Sequence, residues 1–367
     1  MTPLPEWIGL SLAAGLGPAG YWNLVNHFGS PGKVLQASSS ELSRVSGVRA
    51  LQREALADPA RLLAAAESEL LRLQDAGYKA LSYPEDDYPD LLRQTANPPP
   101  VLYIRGRAAL LNTPAIAIIG SRAATSYGRR TAFSLAGDLA DRGISVVSGL
   151  AMGIDAEAHA GCLARNGNTI AVLGCGLDII YPRVNRKLYE QTAEHGLIVS
   201  EYLLGTKPDG FRFPARNRII AGLSLGVVVV EAARKSGSLI TVQSALEEGR
   251  EVFAVPGQID SVKSGGTHWL LQQGASLVVS ADDILDHLPL HAFSRESDTP
   301  PPAPDPKIDE ESARLLSLIE PYPMRRDELL QRAGFSPARL SELLLLLELD
   351  GLVELLPGDE LRKIVPG

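Results

Sequence analysis

Cysteine is scarce in this 367-residue chain, with Cys162 and Cys175 alone, and their spacing fits neither a metal site nor a disulfide framework, so both read as reduced core residues. Aromatic residues reach only 5%. No apolar run approaches the length of a membrane span, and Met1 to Gly9 lacks the basic start and long apolar middle of a signal peptide. A cytoplasmic protein with no membrane contact is therefore expected. A basic excess is also missing: 35 Lys+Arg stand against 43 Asp+Glu, a net charge of −8, which over the whole chain counts against nucleic acid. The Gly-Lys-Ser/Thr end of a P-loop is absent, which argues against ATP hydrolysis. Nothing in the ligand spacing requires a metal or a cofactor.

The average charge hides an asymmetry. Between Gly120 and Lys235 there are 14 Lys+Arg and 10 Asp+Glu, a local balance of opposite sign to the rest of the chain. Screening confines each charge to roughly 8 Å at physiological salt, so local balance decides phosphate binding. Arg183, Arg186 and Lys187 form one basic group, and Arg212, Arg216 and Arg218 another.

From Ala115 to Val279 apolar strands alternate with helical segments, the pattern of an α/β doubly wound parallel sheet. The run Ile116–Ile119 stops at Gly120 and opens into Ser121-Arg122 and a helix. Such a turn is expected to leave helix N-terminal N–H groups without an internal partner, and an anion is their natural ligand. Further turns follow the expected strands Ile144–Val147, Thr169–Leu173 and Val227–Val230. They carry Ser148-Gly149-Leu150-Ala151-Met152-Gly153-Ile154-Asp155, Gly174-Cys175-Gly176-Leu177-Asp178 with Tyr181-Pro182, and Ser236-Gly237-Ser238-Leu239-Ile240-Thr241. Ligands on such sheets gather beyond the carboxyl ends of the strands, so these turns should converge on one rim.

With the long segment Phe213-Pro214-Ala215-Arg216-Asn217-Arg218-Ile219-Ile220-Ala221-Gly222-Leu223-Ser224, these motifs closely resemble the DNA-processing protein A family (DprA, also called Smf). The resemblance runs from about Leu81 to Leu288. It implies an extended Rossmann-like core that binds single-stranded DNA without strong sequence preference, protects incoming DNA, and brings the RecA recombinase onto it during natural transformation. It also implies a homodimer and a binding protein rather than an enzyme. The site expected on this basis is Gly120, Ser121, Arg122, Gly149, Gly176, Arg183, Asn185, Arg216, Asn217, Arg218, Ser238 and Thr241. Arg183 stands where the family usually has a basic residue implicated in strand binding. Arg216 and Arg218 are expected to face phosphates, with Asn217 either bonding a base edge or locking the loop. Phe211 and Phe213 could offer stacking faces, though the plainer reading makes them core anchors. Asp155 and His159, at i and i+4, read as a helix-capping Asp with a hydrogen-bonded His rather than a catalytic or metal pair.

Four segments are expected. Residues 1–75 read as short helices around Gly15-Leu16-Gly17-Pro18 and Val45-Ser46-Gly47-Val48, resembling paired helix-hairpin-helix (SAM-like) motifs, although Arg49 replaces a glycine of the second hairpin. A small helical protein-contact domain is the alternative. Residues 81–288 form the Rossmann-like domain, 289–307 a proline-rich linker, and 308–367 a winged-helix-like domain. The third helix of that last domain has Arg339 as its only basic residue against Glu342, Glu348 and Asp350, the wrong sign for duplex binding. Its Leu343–Leu347 run exceeds one buried face, which suits a partner or a self-contact.

The competing reading is a nucleotide-binding phosphoribohydrolase of the lysine-decarboxylase-like fold. At the corresponding turn here, Ser244 stands where the catalytic carboxylate would be. A neutral hydroxyl cannot stabilise the positive charge on a departing sugar. In Ser264-Gly265-Gly266-Thr267-His268-Trp269, His268 replaces the usual asparagine and Trp269 a usual polar residue, and Trp269 suits a subunit surface.

Overall fold

The computed structural model describes residues 3–288, 309–319, 324–349, 352–356 and 358–363; the expected linker, 289–307, lies outside them. The chain divides into two compact units, Met1–Phe293 and Ser294–Gly367.

The first unit begins with six helices: α1 (Leu4–Ser11), α2 (Pro18–Phe28), α3 (Pro31–Gln36), α4 (Ser39–Leu42), α5 (Ala50–Ala55) and α6 (Pro59–Asp75). Proline stands at the first turn of α1, α2, α3 and α6, where its missing N–H costs nothing. The helices do not form a core of their own. Trp7, Tyr21, Leu24, Leu62 and Leu73 share one apolar cluster with Tyr103, Leu173 and Ile198 of the sheet and with Leu204 in the connection after its strand Leu197–Ser200. Polar ties reinforce it: Trp22 Nε1 donates to the Pro98 carbonyl at 2.7 Å and Leu204 N to Glu69 Oε1 at 2.7 Å. The hairpin turns are tied inward as well, Gly15 O accepting from Gln52 Nε2 and Ser46 O from Asn23 Nδ2.

The sheet segment runs β1 (Lys79–Ser82), α7 (Asp90–Arg93), β2 (Val101–Gly106), β3 (Ala115–Ile119), α8 (Ser126–Asp141), β4 (Ser145–Ser148), α9 (Ile154–Ala164), β5 (Thr169–Leu173), α10 (Arg186–His195), β6 (Leu197–Ser200), α11 (Arg212–Gly222), β7 (Gly226–Val229), α12 (Ser238–Glu247), β8 (Glu251–Ala254), α13 (Gly265–Gln272), β9 (Ser276–Leu277) and α14 (Ala281–Leu285). These strands form one nine-stranded sheet in the order β1-β2-β6-β5-β4-β3-β7-β8-β9. Strands β3 to β9 are mutually parallel, and β3, β4 and β5 are buried along their whole length, as helices on both faces require. The edge differs from a purely parallel sheet. Strand β2 lies antiparallel on β6, pairing Tyr103 with Ser200, and β1 is antiparallel to β2. Winding proceeds outward from β3 in both directions, so the switch point falls between β3 and β7.

The second unit holds α15 (Glu310–Leu318), β10 (Met324–Arg325), α16 (Arg326–Ala333), α17 (Pro337–Leu349), β11 (Val353–Leu356) and β12 (Glu360–Lys363), with strand order β10-β12-β11. This is the winged-helix arrangement. On α17, Leu343, Leu344 and Leu347 are buried while Leu345 and Leu346 remain exposed. Arg339 is engaged by Glu311 at 2.6 Å and Glu342 at 2.7 Å, so the one cation of α17 is already matched. Among the described residues no helix is long and apolar enough to cross a membrane.

Because the helices and the sheet share a core, a chain beginning at Lys79 should lose its cooperative melting transition. A chain ending at Phe293 should keep it, and calorimetry of the two fragments checks the contrast.

Candidate nucleic-acid interface

The turn after β4 is held by side chains at every backbone polar group from Gly149 to Ala151. Asp155 accepts from Gly149 N at 3.2 Å and from Ala151 N. His159 Nε2 accepts from Leu150 N at 3.3 Å. Asn185 Nδ2 donates to the carbonyls of Leu150 and Ala151, at 2.9 and 3.2 Å. The Arg216 guanidinium donates to Gly149 O at 3.0 Å and to Val172 O. This matching holds Leu150 at φ 53 with its side chain fully buried, a conformation that non-glycine residues avoid. A Cβ at Gly149 would fall onto the Arg216 guanidinium, and one at Gly153 (φ 80) would lie 2.7 Å from Arg122 O. The turn therefore seats directly against Ser121 and Arg122, with Ile154 N donating to Ser121 O at 3.2 Å.

At the β3/β7 switch point this packing leaves a cleft of about 630 Å³. Gly120, Ser121, Arg122, Asn217, Ser238 and Thr241 line it, together with Phe213 and Lys263. Arg122 is exposed, makes no ion pair among the described residues, and lies over the Phe213 ring at 5.3 Å. Lys263 donates to the Ala123 carbonyl. Ser236 and Ser238 share a hydrogen bond of 2.7 Å at the start of α12.

A family model described as DNA recombination-mediator protein A matches residues 79–289, and one described as DprA winged helix domain matches residues 299–359. The chain belongs to the DprA/Smf family. Protein Smf of Synechocystis is 36% identical over 96% of both chains, and Protein Smf of Escherichia coli is 40% identical over 81% of this chain and 80% of its own. The X-ray structure of DNA processing protein A from Streptococcus pneumoniae matches with a TM-score of 0.69 and 37% identity, over 78% of this chain and 99% of that one. DNA processing protein A from Helicobacter pylori, a structure reported for its single-stranded DNA binding mode, matches with a TM-score of 0.52 and 35% identity, over 57% and 94%.

Several residues of this DprA/Smf chain do not stand where the sequence reading placed them. Arg216 does not face phosphates: it is 4% exposed and spends its donors on carbonyls beneath the cleft. Burial pulls its pKa down to about 10, against the opposing pull of Asp155. Arg218 is likewise turned inward, paired with Glu201 and donating to Asn97 O at 2.9 Å. Asn185 is consumed by the Gly149–Ala151 turn. Gly149 and Gly176 are buried, and Gly176 N donates to Thr206 O at 2.9 Å. Arg183 is exposed on the turn Arg183–Asn185, outside the residues that line the cleft.

The phenylalanines are not core anchors. Phe211 is 65% exposed, and Phe213 stacks on Tyr181 at 5.4 Å with 26° between the ring planes. The free helix N-terminus expected after Arg122 is also filled, because the buried Glu231 carboxylate accepts from Thr125 N at 3.0 Å and from the Thr125 hydroxyl. An internal carboxylate thus takes the place of an external anion at α8. Glu231 and Lys263 escaped the sequence reading, and Tyr181 entered it only as part of a motif; the one signal for Glu231 was an acid directly after an apolar strand.

His159 is fully buried and hydrogen-bonded, as the plainer reading of the Asp155–His159 pair had it, whereas Asp155 is no helix cap: it lies within α9, whose N-cap is Gly153, and accepts from the preceding turn at Gly149 N and Ala151 N. His159 Nδ1 donates to Thr169 Oγ1 at 2.7 Å, since the Thr169 hydroxyl itself donates to Val146 O, and Nε2 is left to accept. Burial keeps the ring neutral, its pKa lowered from 6.5 to about 3. The unfolded chain therefore binds a proton that the folded one refuses between those values. The stability His159 contributes is complete above pH 6.5 and lost as pH falls toward 3, at about 1.4 kcal/mol per pH unit. Denaturant midpoints measured across that window should lose this part of their slope in His159→Gln. Arg216→Ala should cost about 3 kcal/mol by leaving buried carbonyls unpaired, read as a lowered urea midpoint.

Proposed function

We propose that the switch-point cleft binds the backbone of single-stranded DNA, and that the protein handles incoming DNA during transformation and passes it to a RecA-type recombinase. The observation that carries the reading is Arg122. It is an exposed guanidinium, without an ion pair among the described residues, at the carboxyl end of β3, in a cleft it shares with Ser121 and Ser238 and supported from below by the braced turn. A planar fork of this kind suits a phosphate diester. The Helicobacter pylori structure is described by its single-stranded DNA binding mode, and a Streptococcus pneumoniae relative, 45% identical over 57% of this chain and 73% of its own, is named a DNA processing protein. These support a strand as the ligand.

Hydrolysis fits less well. Ser244, in place of a carboxylate, donates its hydroxyl back to Ile240 O at 3.2 Å and is not among the cleft residues. On the same reading the protein is cytoplasmic and pairs with a second copy through the sheet unit, where Trp269 packs partly buried beside Leu239 and Val242. The winged-helix unit serves a partner rather than duplex DNA.

In anisotropy titrations, an unpaired oligonucleotide should bind more tightly than a duplex of equal length. Its affinity should fall with salt by a slope of roughly −0.7 for each phosphate neutralised. Arg122→Ala should weaken every sequence alike without moving the melting temperature, since a phosphate contact positions a strand without reading it. Equal affinity for both forms, or release of free base from a nucleoside monophosphate, would contradict the proposal.

A further inference from the structure

Glu231 is a buried acid that strand binding leaves unused. It stands just past β7, is 4% exposed, and makes no ion pair among the described residues. A carboxylate taken out of water needs either a cation or donors aimed at it. Here the donors belong to the start of α8: Thr125 N at 3.0 Å and the Thr125 hydroxyl, which in turn accepts from Gly128 N at 3.0 Å. Two glycines make the room. A Cβ at Gly128 would lie 2.7 Å from both Glu231 carboxylate oxygens, and one at Gly120 would lie 2.8 Å from the Glu231 carbonyl oxygen. In doubly wound sheets, glycines at a strand-to-helix turn serve to bring an external phosphate up to the helix N-terminus. In this chain the same space is filled from inside.

We propose that Glu231 is a specificity-determining residue of the cleft: its carboxylate takes the place of a free nucleotide's terminal phosphate, and so keeps nucleoside phosphates out of a cleft that accepts the phosphodiesters of a strand. This rests on the reading that the cleft binds DNA and adds what the cleft refuses. Free nucleotides and DNA share their phosphate chemistry, so the charge of Arg122 alone would not tell them apart. They differ in what they ask of the protein. A terminal phosphate carries about −1.5 to −2 charge and three acceptor oxygens, and in this class of fold the N–H groups of a helix start supply its donors. At α8 the Thr125 donors are already given to Glu231, and the buried carboxylate repels a second anion. A diester carries one charge and two free oxygens, which a single guanidinium fork can hold. Arg122 lines the cleft while Thr125 and Glu231 do not, so a diester at Arg122 leaves the Glu231 contacts in place.

The test uses the full chain, labelled oligothymidine and ADP, with sodium chloride controls matched to the ionic strength of each ADP addition. Wild-type protein should hold oligothymidine unchanged through millimolar ADP and show no ADP-dependent rise in melting temperature. Glu231→Ala leaves the Thr125 N–H and hydroxyl buried without an acceptor, so its melting temperature should fall. It should then rise with ADP concentration, as binding to the folded state requires. In the same variant ADP should displace oligothymidine, with a loss of affinity that grows in proportion to ADP. Glu231→Asp, which keeps a carboxylate at this position, should resist ADP as the wild type does. Wild-type protein that ADP stabilises or strips of oligothymidine would overturn the proposal, because nucleotides would then enter with Glu231 in place. A Glu231→Ala chain that melts cooperatively and ignores ADP would reduce Glu231 to a helix cap and overturn it as well. So would a Glu231→Ala chain that ADP fails to restore to a cooperative transition. The melting arms read the exclusion without DNA, so a wild type that binds no oligothymidine would instead overturn the DNA reading on which the proposal rests.

Discussion

The conformation of Gly149–Ala151 is the constraint on which the site depends. Three consecutive residues leave the end of β4 in a path that places Leu150 in the left-handed region, and no secondary structure satisfies their N–H and C=O groups. Four side chains from α9, α11 and the residue before α10 do so instead: Asp155, His159, Arg216 and Asn185. Buried polar networks are stable only when each member is matched, and here the matching converts a loop into a rigid wall. Against that wall rest the carbonyls of Ser121 and Arg122, which fixes the direction in which Arg122 leaves the sheet.

Charge is distributed accordingly. Cations buried under the rim serve the protein: Arg216 holds two strand-end carbonyls and Arg218 a carboxylate. The buried Glu231 carboxylate occupies the start of α8 and leaves the anion-binding role to groups further out. An acidic protein can therefore present a locally cationic cleft, because the buried Arg216, Arg218 and Glu231 are matched internally while Arg122 at the switch point stays exposed.

Much of this was legible in the sequence where burial alone dictates residue type. The apolar runs at Ile116–Ile119 and Thr169–Leu173 mark strands covered on both faces, and the structure places β3 and β5 there almost residue for residue. The convergence of glycine turns follows from the same alternation. Strand direction at the edge was not legible, since hydrophobicity at Val101–Ile104 is the same whichever way β2 runs against β6. Nor did the sequence distinguish Arg122 from Arg216. Both follow small or helical turns and both look like phosphate ligands; which one turns inward is set by the unpaired carbonyls of Gly149 and Val172, brought together only by the fold. The phenylalanines were misplaced for a related reason. Aromatic residues usually belong to a core, and here the place for Phe213 is made by the missing side chain of Gly174.

Backbone hydrogen exchange with and without an unpaired oligonucleotide tests the central claim most directly, that the strand lies in the β3/β7 cleft. The account predicts new protection at residues 119–123 and 236–241, with the already braced turn at 149–151 slow in both states. Protection confined to the helical hairpins at 15–18 and 45–49, or to α17, with none along the cleft, would contradict it.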